Sequence, residues 1–226
     1  MILLDADSLL YKVGFSTEDV SASIAISRMA TMVEEIIFDA LSNTYEEYHV
    51  FLSGSENYRK DIDPEYKANR VGLQKPKHFD TLKQYLTQGW AATISAGNEA
   101  DDEVCIKAYE LSHECILAHI DKDLDQIPGK HYNYNKKEFY EIDEFSALYN
   151  FYTQLLTGDR VDNVKGITGI GPKKAAKLLA DCQTETDLYA ACSEAYKGDS
   201  EQLVRNGRLL YLQRKPNDDW EPPKWD

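Results

Sequence analysis

Short apolar, β-prone runs at Ile2 to Leu4, His49 to Leu52, Ala92 to Ile94 and Cys115 to Ile120 are separated by longer stretches with helical spacing. Alternation of this kind predicts an α/β fold, with a mostly parallel sheet covered by helices on both faces. Between the first two runs, Ala22, Ala25, Met29, Val33, Ile36 and Ala40 recur every three or four residues. That spacing predicts an amphipathic helix over Ala22 to Leu41. After about residue 143 the strands are expected to stop, and helices are expected over Asp143 to Leu156, Pro172 to Ala180, Thr184 to Tyr196 and about Ser200 to Arg214. The pattern therefore divides the chain into an α/β domain over 1–142 and a helical domain over 143–226. The last stretch, PNDDWEPPKWD, is broken by proline and expected to be irregular, with Trp220 and Trp225 as candidates to dock on the body.

Composition narrows the class only slightly. A chain of 226 residues with 42% hydrophobic content can bury a sizeable core. The stretch MILLDADSLLYK has no basic leader, and Asp5 interrupts its apolar run, so neither a signal peptide nor a membrane span is expected, and a cytoplasmic chain is. Cys105, Cys115, Cys182 and Cys192 lack the close spacing of zinc or redox motifs, which predicts buried or half-buried free thiols.

The net charge of -14 argues at first against a polyanionic ligand, yet its distribution reverses that argument. From Tyr66 to Phe79 the chain carries Lys67, Arg70, Lys75 and Lys77 and no acid. From Val164 to Ala180 it carries Lys165, Lys173, Lys174 and Lys177 and again no acid. Ten of the 39 acids stand instead in a few clusters: Asp5 and Asp7, then Glu99, Asp101 and Asp102, then Asp121, Asp123 and Asp125, then Asp159 and Asp162.

In an open parallel sheet, ligands bind beyond the carboxyl ends of the strands, and the first three clusters follow predicted strands. In the pairs Asp5/Asp7 and Asp121/Asp123, a spacing of two puts both side chains on one face if the backbone stays extended. Each cluster alone also suits a structural role: NEADDE as a helix start with Asn98 as N-cap and Asp101 in its box, DKDLDQ as an acidic surface turn. Asp5 is harder to explain that way, because an acid directly after an apolar strand is costly unless paired or metal-bound. Together the clusters make an oxygen-only donor set, which points to magnesium or manganese. Two such ions are a standard device for transferring a phosphoryl group to water.

The segment GITGIGPKKAAKLL places Gly166, Gly169 and Gly171 before Pro172 and a run of lysines. Glycines let a backbone approach a phosphate, and the proline suits a first helical position. The whole pattern reads as a helix-hairpin-helix that grips the DNA backbone through Gly169, Gly171, Lys173, Lys174 and Lys177 without reading bases.

With NEADDE, DKDLDQ and GDRVDNVKGITGIGPKKA in this order, and with NYRKDIDPEYKANR, the chain resembles the 5′ nuclease superfamily of flap endonucleases and 5′-3′ exonucleases. Within it the chain looks most like the 5′-3′ exonuclease of T-odd podophages, over about residues 1 to 180. The resemblance implies a PIN-like α/β core, an arch over the active site near residues 64–90, and a helix-three-turn-helix for duplex DNA. It implies that Asp5, Glu99 and Asp101 hold a first Mg2+ or Mn2+, and that Asp102, Asp121, Asp123, Asp159 and Asp162 hold or surround a second. Lys67 and Arg70 match residues that contact the scissile phosphate and, if helical, share a face. Tyr66 would stack on an unpaired base. Carbonyls around Val164, Ile167 and Ile170 would bind K+.

One departure stands out: the family usually ends its second strand with an aspartate, and this chain has Ser53, Gly54 and Ser55 there. The first metal site is then one carboxylate short, and weaker binding is expected, with Asp7 or Glu56 assisting. The expected activity is hydrolysis at 5′ ends, nicks or flaps of duplex DNA in replication or recombination. RNA-DNA hybrids as substrate, or a non-catalytic duplex-binding module, are the alternatives.

Overall fold

The computed structural model describes residues 1–41 and 47–224. In chain order its elements begin with β1 (Ile2–Asp5), α1 (Asp7–Ser16), α2 (Ala22–Ala40), β2 (Tyr48–Leu52), α3 (Arg59–Ile62), α4 (Phe79–Gly89), β3 (Thr93–Ile94), α5 (Ala100–Glu110) and β4 (Ile116–His119). They continue with β5 (Gly129–Asn133), β6 (Glu138–Ile142), α6 (Glu144–Thr157), β7 (Gly158–Asp159), β8 (Val164–Lys165), α7 (Pro172–Leu178), α8 (Glu185–Ala195) and α9 (Ser200–Leu210). Two compact units result. One comprises Met1–Glu56, Leu73–Leu124 and Gly129–Glu141, and the other Asn57–Gly72, Asp125–Pro128 and Ile142–Asp226.

The first unit is built on a six-stranded sheet of order β3-β2-β1-β4-β5-β6, with β3, β2, β1, β4 and β5 all parallel. Every residue of β1 is buried, as expected of a central strand covered on both faces. The chain runs outward from β1 to β2 and β3, then resumes on the other side of β1 with β4. The order therefore reverses between β1 and β4, and the place beyond their carboxyl ends is where open α/β sheets bind ligands. α2 covers the sheet through Ala25, Met29, Val33, Ile36 and Ala40, the positions whose period predicted it. α5 packs against β1 and β2, which carries its amino terminus to the same carboxyl edge.

Two strands lie beyond those expected. β5 and β6 are largely polar and partly exposed, so a search for apolar runs passes over GKHYN and EFYEI. The expected arch segment also differs. Residues up to Gly72 belong to the helical unit, whereas α4 buries Phe79, Leu82 and Leu86 and packs on α1 and α2 as an ordinary core helix.

The helical unit packs α6, α7, α8 and α9 around Phe151, Tyr152, Leu155, Leu156, Leu188 and Leu203. Asp143 caps α6 by accepting from Ser146 N, and Thr184 and Asp187 form a capping box on α8. α9 ends at Leu210 rather than near Arg214. Arg59 is 2% exposed and donates Nε to Leu209 O at 2.9 Å and Nη2 to Tyr211 O at 2.8 Å, satisfying carbonyls at the end of α9. That bond network draws residues 57–72 into this unit. The short β7–β8 hairpin interrupts the expected all-helical region. Trp220 is buried with its ring 5.6 Å from that of Phe151, while Trp225 lies outside the described residues. Cys105, Cys115 and Cys192 are buried and Cys182 half-buried, all as free thiols.

Candidate functional site

At the carboxyl edge of the sheet the chain turns sharply after each strand, and the turns aim the acids. β1 ends at Asp5, which is 3% exposed, and its Oδ1 accepts from Asp7 N at 3.1 Å as α1 begins. Asp7 Oδ1 accepts in turn from Ser53 N at 2.9 Å, which links the ends of β1 and β2. After β4, Asp121 Oδ1 accepts from Asp123 N at 2.9 Å and a 3-10 turn follows. Neither pair keeps the extended backbone that would put both acids on one face through spacing alone. Local side-chain turns place them instead.

The sheet sets the ends of β1 and β4 side by side. The Tyr134 hydroxyl, buried and bonded to Ser8 Oγ, is pushed well above its ordinary value, first by burial and then by the charges of Asp5, Asp121 and Asp7. Acids from the ends of β1 and β4 therefore act through their charge on one phenol. The Asp7 carboxyl is raised, chiefly by burial. Ser53 opposes this with two hydrogen bonds and Lys83 with its charge, while Glu99 adds to it. Asp5, Asp7, Glu99 and Asp121 are thus brought into one electrostatic neighbourhood. Among the described residues of this unit, no three of its carboxylates come within 4.8 Å of one another.

The start of α5 differs in detail from expectation. Glu99, not Asn98, is the N-cap, and its partner is Asp102, whose Oδ2 accepts from Glu99 N at 3.1 Å. Asp102 is fully buried in that box, whereas Asp101 is half-buried. Behind β4, His119 is buried and its Nδ1 lies 2.6 Å from Asp121 O, with Nε2 2.8 Å from His131 Nδ1. Burial pushes His119 down to about 4, against the opposing effects of the Asp121 carbonyl and carboxylate. The uncharged ring props the backbone that carries Asp121.

At the end of β2, Ser53 Oγ accepts from Ala100 N at 3.0 Å and Gly54 N donates to Ser95 Oγ at 3.0 Å. A Cβ on Gly54 would lie 2.2 Å from Ser95 O, so the backbone there leaves no room for a side chain.

In the helical unit, Asp159 and Asp162 are both buried. Asp159 Oδ1 accepts from Val161 N at 2.7 Å and Asp162 N at 3.1 Å, closing a turn. Asp162 gathers three donors: Tyr66 Oη at 2.9 Å, Arg70 Nη2 at 2.7 Å and Lys67 Nζ at 3.6 Å. Lys67 N also donates to Asp162 O at 2.9 Å. Lys67 and Arg70 do converge, but not as neighbours on a helix face. Lys67 has φ 55 and only residues 68–70 form a 3-10 turn. Tyr66 is 3% exposed within the core of this unit, which removes it as a platform for a base.

The glycine-lysine segment forms the turn before α7. Gly169 has φ 80, a left-handed conformation natural to glycine, and Ile170 N donates to Ile167 O at 3.0 Å. Pro172 occupies the first turn of α7, as its position predicts. α7 buries only Ala175, so Lys173, Lys174 and Lys177 stand exposed on a shared surface with Gly169 and Gly171.

Sequence reasoning singled out none of Tyr11, Lys83 and Tyr134. Tyr11 is 44% exposed on α1, with its ring 5.3 Å from Phe79. Its signal was available, because it lies opposite the buried Leu9, Leu10 and Val13 on a helix that starts at Asp7. Lys83, whose Nζ donates to Ser53 O at 2.6 Å, sits in an ordinary amphipathic helix and gave no local signal, and neither did Tyr134.

No family model matches the chain. Among curated proteins it is similar to a 5′-3′ exonuclease of Bacillus subtilis, 29% identical over 193 residues, covering 76% of this chain and 65% of that protein. It is also similar to flap endonuclease Xni of Shewanella baltica, 26% identical over 173 residues, covering 70% and 66% respectively. The chain thus spans just under two thirds of the length of these relatives. Among solved structures, T5 5′-exonuclease with zinc bound superposes with a TM-score of 0.71 at 18% identity, over 92% of this chain and 88% of that one. The catalytic core of Rad2 in complex with DNA substrate gives 0.56 at 15% identity, over all of this chain and 82% of that one. The mostly parallel sheet flanked by helices is therefore the PIN-like fold that the T5 enzyme shares. In sequence the chain is similar to a flap endonuclease and a 5′-3′ exonuclease, and in fold to the T5 5′-exonuclease.

Proposed function

We propose that the chain is a metal-dependent 5′-3′ exodeoxyribonuclease that also cuts 5′ flaps. The observation that carries this reading is the placing of Asp5 and Asp7 at the end of β1, bonded to each other and to Ser53, beside the end of β4 with Asp121, where the strand order reverses. Carboxylates at these strand ends, running from buried Asp5 through half-buried Asp7 to exposed Asp121, suit hard cations such as Mg2+ or Mn2+. Asp5, Glu99 and Asp101 are assigned to a first ion, and Asp121 and Asp123 to a second. Asp102 supports them by capping α5. Divalent cations at these oxygens supply the Lewis acidity that activates a water and stabilises the leaving 3′ oxygen.

The remaining chemistry belongs to the chain itself. Lys67 and Arg70 present ammonium and guanidinium donors that a phosphate can take in place of Asp162. Arg70 is the better placed to stabilise charge developing on a phosphoryl oxygen, because it is the more exposed of the two. Tyr11 offers the aromatic face for an unpaired base that the buried Tyr66 cannot. Lys173, Lys174 and Lys177 hold duplex backbone without reading sequence, and carbonyls of Val164, Ile167 and Ile170 are assigned to K+. Specificity is then for DNA structure. No helix among the described residues is long and apolar enough to cross a membrane.

The test is product analysis on 5′-labelled blunt, nicked and flapped duplexes with magnesium, repeated with EDTA and with RNA in the labelled strand. Short 5′ products that appear only with magnesium and on DNA are expected. Cleavage that survives EDTA, or duplex binding with no cleavage at all, removes the reading.

A further inference from the structure

The end of β2 holds a positive charge where the neighbouring strand ends hold negative ones. Residues 53–55 contain no acid, and Gly54 cannot carry a side chain because its Cβ position falls 2.2 Å from Ser95 O. Lys83 reaches this place from α4, and its Nζ donates to Ser53 O at 2.6 Å. The same Ser53 gives its N–H to Asp7 Oδ1 at 2.9 Å and receives Ala100 N–H on Oγ at 3.0 Å, where α5 begins beside Glu99. Lys83 is thus bonded to the residue that ties Asp7 to the amino terminus of α5, and its charge acts directly on Asp7.

We propose that Lys83 is a resident counter-cation of the carboxylates around Asp7 and Glu99, and that its ammonium sets how weakly this cluster binds its first divalent ion. The inference rests on the metal-dependent reading above and deepens it. A fixed ammonium among carboxylates offsets their mutual repulsion, and its charge opposes that of Glu99 on the half-buried Asp7. It also repels an entering divalent cation, because like charges a few ångströms apart interact strongly at the edge of a protein interior. Lys83 is a positioning residue in this account. It acts on the metal through Asp7 and Ser53 and touches no substrate.

The sign of the expected effect separates this role from simple structural support. Mn2+ is titrated into the full chain without DNA, and the free ion is followed by electron paramagnetic resonance. Lys83→Gln, which keeps a donor for Ser53 O but loses the charge, should bind Mn2+ roughly tenfold more tightly. Lys83→Met should do the same, and Lys83→Arg should stay within about twofold of the parent. A damaged scaffold would move affinity the other way. Binding by both neutral variants no tighter than the parent's, with parent-like circular dichroism, overturns the proposal. So does loss of the fold in both, which would make Lys83 structural, and so does a parent chain with no affinity for Mn2+. A chain that shows the Lys83 effect yet never cuts DNA leaves this inference standing and removes only the nuclease reading.

Discussion

Arg70 Nη2 lies 2.7 Å from Asp162 Oδ1, so the residue assigned to the scissile phosphate is already holding an anion. The pair is half-exposed on the arginine side, and such pairs contribute about 1 kcal/mol or less to stability. Arg70→Ala should therefore leave thermal unfolding almost unchanged while lowering flap cleavage roughly a hundredfold or more. Paired melting curves and single-turnover rates check this. A large loss of stability with normal cleavage would make the pair structural.

Tyr66 and Tyr11 should separate cleanly. Tyr66→Phe removes one of the donors to a buried Asp162 oxygen and should cost about 1–3 kcal/mol. Tyr66→Ala, which empties a core position, should cost about 3–5 kcal/mol. Tyr11→Ala loses ring contacts with Phe15 and Phe79, worth about 1–3 kcal/mol together, but should weaken binding of substrates with an unpaired 5′ end. Urea denaturation alongside flap and blunt-duplex affinities tests both halves.

His119 predicts a pH dependence of stability. Burial lowers its pKa in the fold to about 4 from an ordinary 6.5, so the unfolded chain binds the extra proton first. The contribution is therefore fully present above about pH 6.5 and is lost as pH falls toward 4, up to about 3 kcal/mol in all. Urea unfolding at pH 5 and pH 7.5 should show this loss in the parent and a smaller one in His119→Asn. An equal loss in both would place the effect elsewhere.

The β2 end makes a prediction that runs against intuition. An aspartate at position 54 would complete the expected carboxylate set, but any Cβ there meets the Ser95 carbonyl oxygen at 2.2 Å. Gly54→Ala and Gly54→Asp should both destabilise the chain by about 1–3 kcal/mol or more, and the aspartate should not restore tighter metal binding. Melting temperatures of the two variants decide it, and a Gly54→Asp chain as stable as the parent would contradict the packing.

These cases show what the sequence carried. The buried strands were legible because Ile2, Leu3 and Leu4 form an apolar run, and α2 because Met29 and Val33 repeat with its turn. The acids were legible as strand-end clusters. Their local geometry was not, because Asp5, Asp121 and Asp159 each bond a backbone N–H two residues on, and a spacing rule cannot see that. The polar β5 and β6 strands escaped for want of apolar contrast. Tyr66, Lys67 and Arg70 were marked by motif alone, and only the fold shows that all three meet Asp162 and that Tyr66 does so from the core. Lys83 was invisible because its role depends on Ser53, thirty residues away in the chain.

The central claim is that the strand-end carboxylates hold divalent cations for phosphodiester hydrolysis. Asp123→Asn, assayed on a 5′-labelled flap with magnesium and for duplex binding in calcium, tests it most directly. The account predicts that cleavage disappears while binding remains. Cleavage by Asp123→Asn at the parent rate would contradict it.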